Sequence, residues 1–141
     1  MKEYYDFLKE ELTNFEGNFP KYVLHTPDFF KLLCKLTDED LKLEDKKMIN
    51  SALAYFVIPN DVIPEDMYGP AGYIDDIFVC TYVLMNIRDI YGIEMLKNLW
   101  EGEEDIEKVF ETSYKESKEE LKEKGLIDKV LKVACLRCDN E

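Results

Sequence analysis

Apolar side chains recur at three- and four-residue intervals along most of the chain, the period of a helix with one buried face. Tyr5, Leu8, Leu12 and Phe15 carry that spacing first, with Lys and Glu between them, and predict a helix over residues 2–15 stopped by Gly17. Thr26-Pro27-Asp28 reads as a second start. Thr26 is the N-cap, Pro27 needs no N–H there, and Asp28 suits the helix dipole. This helix carries Phe29, Phe30, Leu32, Leu33 and Leu36. Thr37-Asp38-Glu39-Asp40 predicts a capping turn, because the glycine and closing glutamate of a calcium loop are missing at the right offsets. From about Leu43, a helix with Met48, Ile49, Ala52, Leu53 and Phe56 runs to Pro59, which disfavours helical geometry in the residue before it.

Pro59, Pro64, Pro70, Gly69 and Gly72 break residues 59–72 too often for a long helix. Residues 73–91 then predict a helix that is apolar on nearly every face between Ile74 and Ile87, with Gly92 as a left-handed stop. A helix of that kind must be covered by its neighbours. Residues 93–100 form a short, half-apolar segment. Residues 103–124 form a long charged helix with a narrow inner stripe of Ile106, Val109, Phe110, Tyr114 and Leu121. Gly125 ends it, and residues 126–136 give a last amphipathic helix. No alternating strand pattern and no internal repeat is present. The expected architecture is all-α: one compact domain over residues 1–141, of about six or seven helices around a buried central helix at 73–91.

Composition narrows the function classes. At 141 residues with 46% hydrophobic and 13% aromatic side chains, the chain is long enough for a core and too apolar for disorder. A net charge of −13 argues against a nucleic-acid surface, which draws its affinity from Lys and Arg, and against anionic membranes. Peripheral membrane contact is therefore not expected, and a basic protein is the electrostatically favoured partner. No apolar run reaches the about eighteen residues of a membrane span. With no signal-peptide pattern at the N-terminus, a cytoplasmic location is expected. The acidity has two forms. Over residues 93–141 the charges alternate in sign, as on a solvated helix. Over residues 59–92, Asp61, Glu65, Asp66, Asp75, Asp76 and Asp89 face a single base, Arg88, within apolar sequence.

Cys135-x-x-Cys138 lacks the second ligand pair that a zinc site needs, and Cys80 lies in an apolar run where a thiol acts as a small hydrophobe. His25 is the only histidine, has no nucleophile motif around it, and is expected to be an isolated surface residue.

Tyr55-x-x-x-Pro59-x-Asp61-x-Ile63-Pro64, followed by an acidic residue and then Gly72-x-x-Asp75-Asp76, resembles the YkvA-like domain of unknown function. The resemblance covers residues 48–91 and leaves 101–141 as a charged amphipathic helical extension. It implies a small helical module and brings no established activity. This chain has Glu65 and then Asp66 where the family commonly has Asp directly after the second proline. The signature residues are Pro59, Asp61, Pro64, Gly72, Asp75 and Asp76. Two roles stand side by side for the carboxylates. As caps, they would accept backbone N–H groups at helix starts. As ligands, Asp61 with Asp75 or Asp76 would hold a divalent cation and support hydrolysis, although adjacent residues diverge by about 100° on a helix. The leading reading is a non-enzymatic protein-interaction or scaffold module without a catalytic residue, with no cofactor expected. The cation site is the alternative.

Overall fold

The computed structural model describes residues 5–7, 9–10, 24–57, 74–102 and 104–134. Residues 5–7 and 9–10 are helical, as the first periodic segment predicts. Six helices follow: α1 (Thr26–Leu36), α2 (Leu43–Val57), α3 (Ile74–Tyr91), α4 (Ile93–Leu99), α5 (Ile106–Glu123) and α6 (Ile127–Val133). No strand occurs among the described residues. The fold is an all-α bundle.

Helix α3 sits at its centre and packs against α1, α2, α4, α5 and α6. Its sequence leaves no alternative. Ile74 through Thr81 are buried without interruption, followed by Val83, Leu84 and Ile87. A helix with side chains buried around its whole circumference needs neighbours on every side. Phe30 of α1 meets Phe56 of α2 edge-on at 5.3 Å between ring centroids, and Phe78 of α3 stacks on Tyr114 of α5 at 6.0 Å. Helix α3 is most exposed at its C-terminal end, at Asp89 and Ile90, and just before them the Arg88 guanidinium lies over the Phe110 ring at 5.2 Å.

The helix ends follow local chemistry with small shifts. His25 rather than Thr26 occupies the N-cap of α1, which places Pro27 in the first turn as expected and buries Thr26. The turn after α1 caps the end of that helix: Thr37 is its C-cap, and the Thr37 hydroxyl donates to the Cys34 carbonyl at 2.6 Å. Gly92 has φ +92°, and its N–H donates to the Arg88 carbonyl at 2.8 Å. Gly125 has φ +67°, and the following Leu126 N–H reaches back to the Leu121 carbonyl at 2.9 Å, the six-to-one bond of a Schellman stop.

The connection between α4 and α5 is pinned to α1. Trp100 lies against Phe29 at 5.6 Å and donates its indole N–H to the Glu104 carbonyl at 2.9 Å. Glu101 pairs with Lys31 at 2.9 Å and also with Lys35, whose ammonium donates to the Leu99 carbonyl at 3.2 Å. Gly102 is where the Trp100 ring comes closest, since a Cβ there would stand 2.4 Å from the indole.

Candidate functional site

Of the signature residues, Asp75 and Asp76 fall within the described residues. Pro59, Asp61, Pro64 and Gly72 lie outside them, as do Glu65, Asp66, Cys135 and Cys138. Helix α3 begins with two carboxylates because the first turn exposes N–H groups and the positive end of the dipole. Both side chains are nevertheless at 0% exposure, which demands polar company of a kind that helix starts on a surface do not need.

Tyr55, itself buried, supplies part of that company. Its hydroxyl donates to Oδ2 of Asp75 at 2.6 Å, and Oδ1 of Asp75 accepts the Asp76 N–H at 3.1 Å. A donor to a charged acceptor at this length is a strong bond in a protein interior. Asp75 is therefore more than a cap: it ties the end of α2 to the start of α3. Tyr55 already stands in the sequence signature, and the legible signal was a tyrosine on the buried face of an apolar helix, whose hydroxyl needs a partner.

The opposite ends of the same two helices are joined by the same pair of residue types. The Tyr91 hydroxyl, at the end of α3, donates to Oδ2 of Asp45 in the first turn of α2 at 2.6 Å and accepts the Lys42 N–H at 2.9 Å. The hydrogen bond to Asp45 pushes the Tyr91 pKa up from its ordinary value, with a lesser contribution from burial, against a lowering by the Lys42 N–H. This second clamp lies outside the signature, and sequence reasoning missed it.

Cys80 follows Asp76 by one turn and is fully buried, with its thiol against the Phe29 carbonyl at 3.8 Å. Burial first, and then the Asp76 charge, push its pKa well above that of an ordinary thiol, so it stays protonated and unreactive. Burial also raises Cys34, which is half-exposed on α1. His25 corrects the expectation of an isolated surface residue. It is half-buried, with Nε2 at 2.9 Å from Glu104 and Nδ1 at 3.9 Å from Asp28. Its partner comes from the loop after α4, a neighbour that sequence distance concealed.

Among the described residues, no group of three or more His, Cys, Asp or Glu side chains is placed to hold a metal ion. No described helix is long and apolar enough to cross a membrane.

Residues 45–82 match the model of a family described as "Protein of unknown function (DUF1232)". The match spans α2 from Asp45 and α3 as far as Tyr82, and so contains the Tyr55–Asp75 pair entire. The chain is 33% identical over 114 residues to "Uncharacterized protein ORF9" of Methanothermobacter thermautotrophicus, covering 80% of this chain and 78% of that protein. The chain belongs to the same family as that archaeal protein. No solved structure matches it.

Proposed function

We propose that this chain is a YkvA-like, non-enzymatic helical module that works by holding a basic protein partner. The observation that carries this reading is the enclosure of the aspartate pair. Asp75 and Asp76 are both at 0% exposure, and Asp75 is engaged by Tyr55, so this carboxylate serves to join two helices. The order of residues in the signature and the match over 45–82 both support the YkvA-like assignment. The module is proposed as one domain over residues 1–141, with a core at 48–91 and a charged extension at 101–141, in the cytoplasm.

The second reading is a divalent-cation site formed by Asp61 with Asp75 or Asp76, with hydrolytic chemistry at the bound ion. Its support is the burial of two adjacent carboxylates at one helix start, an arrangement that a cation would neutralise. Thermal unfolding of the wild type, Asp75→Asn and Asp76→Asn with and without Mg²⁺, Ca²⁺, Mn²⁺ and Zn²⁺ separates the two. The module reading expects a wild-type midpoint that ignores cations, and a lowered Asp75→Asn midpoint that chelator does not change. A resident cation at a hundred times its Kd would add about 2.7 kcal/mol to the wild type and less to the variants. That outcome would replace the first reading with the second.

A further inference from the structure

We draw no further inference here: the strongest candidate, the pocket of ≈ 360 Å³ between the first helical segment and α1, lined by Tyr5, Phe30, Lys31, Cys34 and Lys35, rests on a lone cysteine, because both lysines are already paired with Glu101 and nothing in the structure shows what fills it.

Discussion

The hydroxyl of Tyr55 donates to Asp75 at 2.6 Å and so joins the last turn of α2 to the first turn of α3. Helices α2 and α3 run antiparallel, and Tyr91 and Asp45 repeat the arrangement at the other end with the helices exchanged. Each helix thus offers a carboxylate from its first turn, where the dipole favours a negative charge, and a tyrosine from its last turn. The two clamps hold the pair in one register along its whole length, and one of them lies wholly within the segment that defines the family match.

Removing the inner clamp should be costly. Tyr55→Phe deletes a buried donor to a carboxylate while keeping the ring, and is expected to destabilise the fold by about 1.5–3 kcal/mol in denaturant unfolding. Because the two residues share one bond, Asp75→Asn and Tyr55→Phe together should cost less than the sum of the single changes. Strict additivity in the double-mutant cycle would show that the pair is not coupled.

Raising the pH should loosen the outer clamp. Tyr91 holds its proton more tightly in the folded chain than in the unfolded one, because the proton is donated to Asp45. Its contribution is intact below the ordinary tyrosine value of about 10 and is lost as pH climbs through the raised folded value. Stability measured from pH 9 to 11 should fall in the wild type and fall less steeply in Tyr91→Phe. Part of the slope remains in that variant, since Cys80 also keeps its proton longer when folded.

The same protonation state makes Cys80 a reporter of opening. In the native protein, alkylating reagents at pH 8 should leave Cys80 unmodified and react slowly with Cys34, as mapped on proteolytic peptides. In denaturant, Cys80 should react at the rate of a free thiol. Native-state modification of Cys80 at a rate matching Cys34 would contradict its enclosure.

Gly102 and Trp100 give a test of the loop that pins α4 and α5 to α1. Adding a methyl group at Gly102 puts a carbon 2.4 Å from the indole, so the ring must leave its place on Phe29. Gly102→Ala is expected to lower stability by about 1–3 kcal/mol and to shift the emission of the single tryptophan to the red. An unchanged spectrum would mean that the ring does not rest there.

The helices and their order were legible in the sequence because each is written in local terms. A 3.6-residue period marks the buried face of α5, proline and glycine mark the breaks, and an unbroken apolar run from Ile77 to Val79 marks α3 as the helix that others must cover. Even the presence of Asp75 and Asp76 at a helix start follows from local preference, since the first turn favours acids. What the aspartates do there was decided by the tertiary structure. Tyr55 is twenty positions from Asp75, and Tyr91 is forty-six from Asp45. Only the antiparallel packing of α2 on α3 brings each hydroxyl to its carboxylate. Likewise, nothing local to His25 points to Glu104, which arrives through the loop after α4. Periodicity reports which face of a helix is buried. It carries no information about which polar group waits on the other side, because that depends on how distant segments are laid together.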